Sequence, residues 1–344
     1  MRRLLLPALF LGAVFPSLLA AKPLRIAYVP KEAGGEYWEF VHAGALKAVR
    51  DLAKQQIEVS VDWLPPKGKG DAAAQADAVV TAAASRPDGL IVAPIDPAIL
   101  KQPVEYAARN GTPVVVSETL LSSPLVACYV GVNNYQAAQE GAGLLGKLMN
   151  QGGGVMIVGD YEGSVNVAQR EKGFVQGLSL YPNVQPLYSG DYAAAMPVVG
   201  TASVARWLKQ FGPRVGGVFS ADAAAYAAVR AALADSPHPG LIQMAFGNSP
   251  TFVAGLKDGT LQALVADSSF ELGYQSVRAM CDVLGGKNVP ARVSLPTVLV
   301  TPDKLSDPEF QKFLSPPTLD EIRNAPAEPE AKAEASAPSA PAAP

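Results

Sequence analysis

Short apolar runs alternate with segments of helical periodicity along most of this chain. Residues 24–29 form an apolar run, and residues 37–53 repeat apolar side chains at helical spacing. The runs at 57–64 and 89–93 predict further strands, and the second is apolar on both faces, as a strand covered by helices must be. An alanine-rich helix is predicted between them at 71–84. This order is typical of a parallel sheet with helices on both faces.

The same alternation restarts at residue 154 and continues to residue 266. Strands are predicted at 154–158, 215–220 and 261–266, with helical segments between them. The repeated order predicts an α/β fold: two doubly wound parallel-sheet lobes joined by a hinge. Because ligands bind at the carboxyl ends of parallel strands, we expect the site in the cleft between the lobes.

The start of the chain differs in kind from the rest of it. Two arginines, Arg2 and Arg3, precede an apolar run at 4–19, and a pair of alanines comes after that run. This order predicts a cleavable signal peptide over residues 1–21 and export to the periplasm. A transmembrane anchor is the alternative, but the run is short for a bilayer and prolines interrupt it.

The end of the chain is also distinct. Residues 325–344 contain only Ala, Pro, Glu, Lys and Ser. Such a segment has no large apolar side chains whose burial could offset the entropy lost on ordering. We therefore predict a disordered Ala/Pro-rich tail.

Composition narrows the function. A formal net charge of -3 with no long basic run argues against nucleic acid as a partner. Two His and two Cys are too few for a structural metal site, and no Ser or Cys has a His and an acid near it in sequence. We therefore expect no cofactor and no enzyme activity.

The two cysteines have two possible states. In an oxidising compartment Cys128 and Cys281 either form a disulfide or remain two buried thiols, and the sequence leaves both possibilities open.

One glycine pattern resembles a dinucleotide fingerprint. Gly141, Gly143 and Gly146 have the formal spacing, but they fall within a predicted helix rather than after a strand. Close helix packing is the favoured interpretation.

Several segments, taken in their order and spacing, resemble the type I periplasmic binding proteins, including the ribose-binding and autoinducer-2-binding branches. The segments are 25–31 (RIAYVPK), 37–38 (YW), 87–96 (PDGLIVAPID), 111–118 (GTPVVVSE), 130–134 (VGVNN), 170–174 (REKGF) and 217–222 (GVFSAD).

The resemblance implies a monomeric periplasmic receptor that closes around a small polar, carbohydrate-like ligand. It would deliver that ligand to the membrane permease of an ABC importer; the alternative is a sensor or adaptor that reports to a membrane kinase or chemoreceptor. The implied lobes are 22–131 plus 268–296 for the N-terminal lobe and 132–267 plus 297–315 for the C-terminal lobe.

The resemblance also assigns candidate ligand contacts at strand ends. An aromatic pair would stack on a sugar ring or a cation, and the polar residues would bind hydroxyl groups. The candidates are Lys31, Tyr37, Trp38, Glu118, Asn166, Arg170, Tyr192, Asp222 and Asp267. Each has a structural alternative: Trp38 can pack in the core, Asp222 can cap a helix, and Asp267 can cap or hinge.

Two arginines typical of pentose receptors are absent. Thr119 and Ala168 stand at their positions, and neither can replace a bidentate guanidinium. We therefore expect a polyol, another sugar or a cationic ligand rather than ribose itself. The predicted signal peptide and the lack of an N-terminal helix-turn-helix argue against a transcription repressor of the same core fold.

Overall fold

The computed structural model describes residues 22–68, 70–159, 164–187, 200–235 and 237–326. The strands are β1 (Leu24–Val29), β2 (Val59–Trp63), β3 (Gly89–Val92), β4 (Val114–Ser117), β5 (Cys128–Val132), β6 (Gly153–Val158), β7 (Val184–Pro186), β8 (Val215–Ser220), β9 (Ile242–Phe246), β10 (Ala263–Ala266), β11 (Arg292–Leu295) and β12 (Val298–Val300). The helices are α1 (Glu36–Lys54), α2 (Ala72–Ala84), α3 (Pro97–Arg109), α4 (Asn134–Leu148), α5 (Val165–Leu178), α6 (Thr201–Phe211), α7 (Ala223–Asp235), α8 (Pro250–Asp258), α9 (Ser269–Leu284), α10 (Pro308–Leu314) and α11 (Leu319–Asn324).

The strands form two six-stranded sheets, each the centre of one lobe. The sheet of the first lobe has the order β11-β5-β4-β3-β1-β2, and every neighbouring pair is parallel. The sheet of the second lobe has the order β12-β10-β9-β8-β6-β7, and only β12 runs antiparallel to its neighbour. The predicted fold class, two doubly wound α/β lobes, is confirmed.

The central strands are apolar on both faces because helices cover both. Leu90, Ile91 and Val92 of β3 are all fully buried. The chain passes between the sheets after β5, after β10 and between β11 and β12. These three crossings form the hinge region.

Helices α1 and α9 pack with unusually close backbones. A Cβ atom on Gly44 would overlap the Phe270 carbonyl oxygen, and one on Gly273 would overlap the Val41 carbonyl oxygen. The glycines of the apparent dinucleotide fingerprint likewise lie inside α4, where Gly141 contacts Val265. Close packing is confirmed for Gly141 and Gly146, where a Cβ atom would overlap Val265 and Tyr181, whereas a Cβ on Gly143 would lie 3.9 Å from its nearest neighbour.

The structure contains four elements that were not predicted from the sequence, and some predicted segments lie outside the residues that it describes. Strands β5 and β11 and helices α10 and α11 were not predicted as elements. Cys128 and Cys281 are buried free thiols, which decides the question that sequence left open. The predicted signal peptide and residues 327–344 of the predicted tail fall outside the described residues. Among the helices that the structure describes, none is both long and apolar enough to cross a membrane.

Candidate ligand-binding site

A cleft of 370 Å³ lies between the two lobes. Most of the candidate residues predicted from sequence line it: Lys31, Tyr37, Trp38, Glu118, Arg170, Asp222 and Asp267. Asn166 lines a small adjoining cavity together with Tyr37 and Glu118. Tyr192 lies outside the described residues.

The first lobe contributes side chains from the carboxyl ends of its strands. Lys31 follows β1, and Glu118 follows β4 directly. Tyr37 and Trp38 stand in the first turn of α1, which begins after Gly35 with a φ of 93°. The parallel order of the sheet therefore places all four on one edge.

The second lobe contributes strand ends in the same way. Asp222 follows β8, Phe246 ends β9, and Asp267 follows β10. Asp222 also accepts a hydrogen bond from the Ala225 amide at 2.8 Å, so it caps α7 while it lines the cleft. The capping interpretation of Asp222 is therefore confirmed, and its contact with a ligand stays a prediction.

Glu118 holds a strained backbone conformation at the cleft. Its φ of 63° lies in the left-handed region, which a residue with a side chain seldom adopts. Its amide donates to the Val130 carbonyl at 3.0 Å, and its carbonyl accepts from the Tyr129 hydroxyl at 3.0 Å. These two bonds fix the conformation that directs the carboxylate into the cleft.

The Glu118 carboxylate joins the two lobes. It pairs with Lys31 at 2.5 Å in its own lobe and accepts from Asn166 of the second lobe at 2.9 Å. Burial alone would raise the pKa of Glu118, but the Lys31 ammonium and the hydrogen bonds from Lys31 and Thr119 outweigh burial and hold this pKa below its usual value. Glu118 is therefore an ionised acceptor at neutral pH, and the lobes touch across the cleft.

Arg170 is fixed on α5 by three contacts. Its Nε donates to Asn134 at 2.7 Å, one terminal nitrogen donates to the Ala221 carbonyl at 2.8 Å, and its guanidinium stacks 3.9 Å from the centre of the Phe246 ring. The other terminal nitrogen lies 3.9 Å from Asp267. Such a clamped fork offers a pre-oriented donor to a ligand.

Asp267 is a buried acid with an unused acceptor. Its residue is 4% exposed, and its Oδ1 finds no hydrogen-bond donor among the described residues. Burial raises the pKa of Asp267 to about 6, because the opposing attraction of Arg170 at 3.9 Å only partly offsets desolvation. A ligand hydroxyl that donated to Oδ1 would satisfy this atom.

Tyr37 and Trp38 both line the cleft, but Trp38 also packs in the core. The rings of Tyr37 and Trp38 are 5.4 Å apart and meet edge to face at 77°. Trp38 is 5% exposed and packs in the core of the first lobe, so the structural alternative holds for much of its ring. Burial, together with the charges of Asp267 and Glu118, raises the pKa of Tyr37 well above its usual value, and its phenol stays neutral.

Sequence reasoning missed several residues at the site. Asn134 and Phe246 hold Arg170, and Asn248 and Phe252 line the cleft. Phe246 and Asn248 stand at the end of β9, so their position after a strand was a usable signal. Asn134 belongs to the segment 130–134 of the resemblance, but nothing in that segment predicted its contact with Arg170, which arises from the packing of α4 on α5.

Comparison with known proteins places the chain in a family. Residues 26–288 match the family model of the periplasmic binding protein domain. The ribose import binding protein RbsB of Bacillus subtilis (strain 168) is 25% identical over 215 residues, which are 62% of this chain and 68% of that protein.

Two solved structures have the same fold. The glucose-galactose binding protein GanP of Geobacillus stearothermophilus has a TM-score of 0.72 at 20% identity, covering 83% of this chain and 99% of its own. An ABC transporter solute-binding protein of Agrobacterium vitis with bound D-fucose also has a TM-score of 0.72, at 23% identity, covering 84% and 99%. With its two lobes, its interlobe cleft and a family match over most of its length, the chain belongs to the periplasmic binding protein domain family.

Proposed function

We propose that this protein is a periplasmic solute-binding protein, which captures a small polar, sugar-like or polyol-like ligand by lobe closure and delivers it to an ABC importer. The observation that carries the proposal is a cleft lined by strand ends of both lobes and bridged by the Glu118–Asn166 hydrogen bond. A ligand that contacts both lobes binds the closed form best, so it shifts the hinge equilibrium towards closure.

The two acid–base pairs of the cleft favour a neutral ligand, and the less buried acids Glu32, Glu36 and Asp222 also line it. Lys31 pairs with Glu118, and Arg170 faces Asp267, so each base at the centre of the site has an acid beside it. Hydroxyl groups can donate to the carboxylates and accept from the bases without leaving a charge unpaired. The names of the relatives, a ribose importer component, a glucose-galactose receptor and a D-fucose complex, agree with this class.

We assign a role to each group of candidates. The ring face of Tyr37, with the exposed edge of Trp38, would cover an apolar face of the ligand. Hydroxyl groups would bind to the polar residues Lys31, Glu118, Asn166, Arg170, Asp222 and Asp267. Tyr192 is proposed as a further aromatic contact on the resemblance alone.

The proposal also specifies where the protein acts and which membrane protein it binds. Residues 1–21 would direct export and be removed, leaving a monomeric protein in the periplasm that docks on a membrane permease. No catalytic step and no cofactor is assigned to it. The proposed lobes are 22–131 with 268–296, and 132–267 with 297–315.

A thermal-shift screen tests the ligand class. The exported protein would be heated with aldopentoses, aldohexoses, 6-deoxyhexoses, linear polyols and small amines, since a ligand that binds only the native state raises the Tm. We expect a clear rise with one sugar or polyol, confirmed by calorimetry, and a loss of at least about tenfold in affinity for Glu118→Gln, equal to about 1.4 kcal/mol.

The same screen can refute the assignment. Glu105→Gln, a change in a carboxylate of α3 outside the cleft, should leave the affinity unchanged. A rise in Tm with amines alone, or an affinity that Glu118→Gln and Glu105→Gln alter equally, would contradict a neutral ligand in this cleft.

A further inference from the structure

The C-terminal segment returns from the second lobe to the first. After β12 has joined the second sheet, α10 packs on the second lobe, and α11 then lies against α1 of the first lobe. Within the described residues this is a fourth passage between the lobes, and it lies outside the three hinge crossings.

Helix α10 packs on the second lobe through buried apolar side chains, and one of its carbonyl groups bonds to a residue of the cleft wall. Phe313 and Leu314 are 4% and 5% exposed and pack in one cluster with Phe252 and Leu256. Asn248, which lines the cleft, donates from Nδ2 to the Phe313 carbonyl at 2.7 Å. Helix α10 therefore moves with the second lobe and contacts a residue of the cleft wall.

The contact with the first lobe is smaller. Ile322 of α11 is 6% exposed, and the guanidinium of Arg50 on α1 donates to the carbonyl oxygens of Ile322 and Ala325. Thr318 and Glu321 cap the helix reciprocally, with the Thr318 amide donating to Glu321 at 2.7 Å. Helix α11 buries one side chain where α10 buries two, so of the described contacts we expect the one between α11 and α1 to release first under strain.

A short linker joins these two helices. Residues 315–318 separate α10 from α11, and they include Pro316 and Pro317. An extended chain gains at most about 3.6 Å per residue, so the ends of the two helices cannot move more than about 18 Å apart. Two consecutive prolines further stiffen the linker, and Pro316 is buried.

We propose that residues 308–326 form a strap that ties the lobes together and favours the closed arrangement of the ligand-free protein. Lobe opening separates the lobe that holds α10 from the lobe that holds α11, and the short linker can follow only until it is extended. Wider opening then requires α11 to leave α1. Tuning of ligand affinity by the strap rests on the proposed hinge closure, because a protein already biased towards closure loses less free energy on binding.

The distance between the lobes without ligand tests the strap. Spin labels at Lys101→Cys on α3 and Lys209→Cys on α6, both exposed, report it by pulsed electron resonance. The two native cysteines are buried and should not react. In the full exported chain we expect one narrow distribution of distances. Ile322→Asp, which disrupts the contact with α1, should broaden it and lengthen its mean by more than about 2 Å, the size of a genuine rearrangement.

Two further variants control the measurement. Asn324→Asp adds the same charge at an exposed position of α11 and should leave the distribution unchanged. A chain ending at Leu314 removes the linker and α11 and should reproduce the effect of Ile322→Asp; circular dichroism checks that each variant is folded. Ile322→Asp decides the matter if the shorter chain does not fold.

Unchanged or shorter distances in folded Ile322→Asp would overturn the strap. Because no ligand is added, that result would leave the proposed function standing. Conversely, a failed ligand screen would not affect the measured distance.

Discussion

Asp267 is a buried acid of the cleft wall, and its negative charge opposes the stability of the folded protein. Its pKa of about 6 in the folded protein exceeds the ordinary value of 3.8, so the folded state binds this proton more tightly than the unfolded chain. Between those two pH values the unfolded state releases the proton first, and stability falls as the pH rises through that window. At neutral pH the group therefore carries a stability cost.

We predict that Asp267→Asn stabilises the protein at pH 7 by about 1–3 kcal/mol, since one unit of pKa corresponds to about 1.4 kcal/mol. The gain should shrink towards zero near pH 4, where the native carboxyl is already protonated. Urea denaturation at the two pH values measures the difference. Asp320→Asn, whose side chain is 85% exposed, is the matched control and should change the free energy of unfolding by less than about 0.5 kcal/mol at both. Equal effects of Asp267→Asn at pH 7 and pH 4 would contradict the assignment of this pKa.

Tyr37 and Trp38 adjoin in sequence but call for different experiments. Because Trp38 is a core residue, its replacement by Ala should cost about 3–5 kcal/mol of stability and would confuse a binding assay. Tyr37→Leu keeps apolar bulk against the core and removes the ring face. We predict a loss of about tenfold or more in affinity for the sugar that the screen identifies, with little change in Tm. Tyr135→Leu, an exposed change on α4, should leave binding intact, and an equal loss in both variants would argue against a stacking role.

Of the residues that line the cleft, the sequence predicted mainly those that follow the ends of strands. Glu118 and Asp267 follow apolar runs that could be recognised, and the resemblance to a family assigned them a role. Their charge states depend on Lys31 and Arg170, which approach from other elements. Such distances arise from tertiary packing, so no local pattern predicts the ion pair at 2.5 Å or the orphaned oxygen.

At the scale of elements, the backbones of α1 and α9 approach each other closely. Gly44 of α1 leaves room for the backbone of α9, and a side chain there would overlap the Phe270 carbonyl. Gly143 of α4 offers a contrast, because a Cβ there would have only the Tyr181 hydroxyl near it, at 3.9 Å.

We predict that Gly44→Ala destabilises the protein by more than about 2 kcal/mol, because the two helices must move apart. Gly143→Ala should be neutral or stabilising by up to about 1 kcal/mol, since alanine favours a helix interior over glycine. Chemical denaturation of both variants tests the pair. Similar values for the two would show that α1 and α9 adapt more easily than their backbone separation implies.

How well a strand or helix could be predicted from the sequence depends on its length and on the elements it pairs with. The run at 24–29 is strand β1 with the predicted bounds, because an apolar run between turn residues is unambiguous. Strand β11 was not predicted, since two of the four residues in Arg292–Leu295 are exposed and the segment becomes a strand only by pairing with β5. Helices α10 and α11 have seven and six residues, too few to show a periodic pattern.

At the scale of the whole molecule, the hydrogen bond from Asn166 to Glu118 links the two lobes directly. Removal of this bond should lower the population of the closed form. We predict that Asn166→Ala increases the radius of gyration of the ligand-free protein measured by X-ray scattering, and that saturating ligand largely restores the native value. Gln176→Ala lies on the exposed face of the same helix and should scatter like the native protein. Identical scattering of both variants would mean that the hydrogen bond does not affect closure.

The interleaved path of the chain has a consequence for how the molecule is made. Strand β11 and helix α9 complete the first lobe, yet they are synthesised after nearly all of the second. Until they emerge, β5 is left with an open edge and α1 lacks the helix that covers it most closely. The first lobe can therefore finish folding only after nearly all of the second lobe has been synthesised. Such an order of assembly would suit the proposed export, since a chain that folds late can still pass unfolded through a secretion channel.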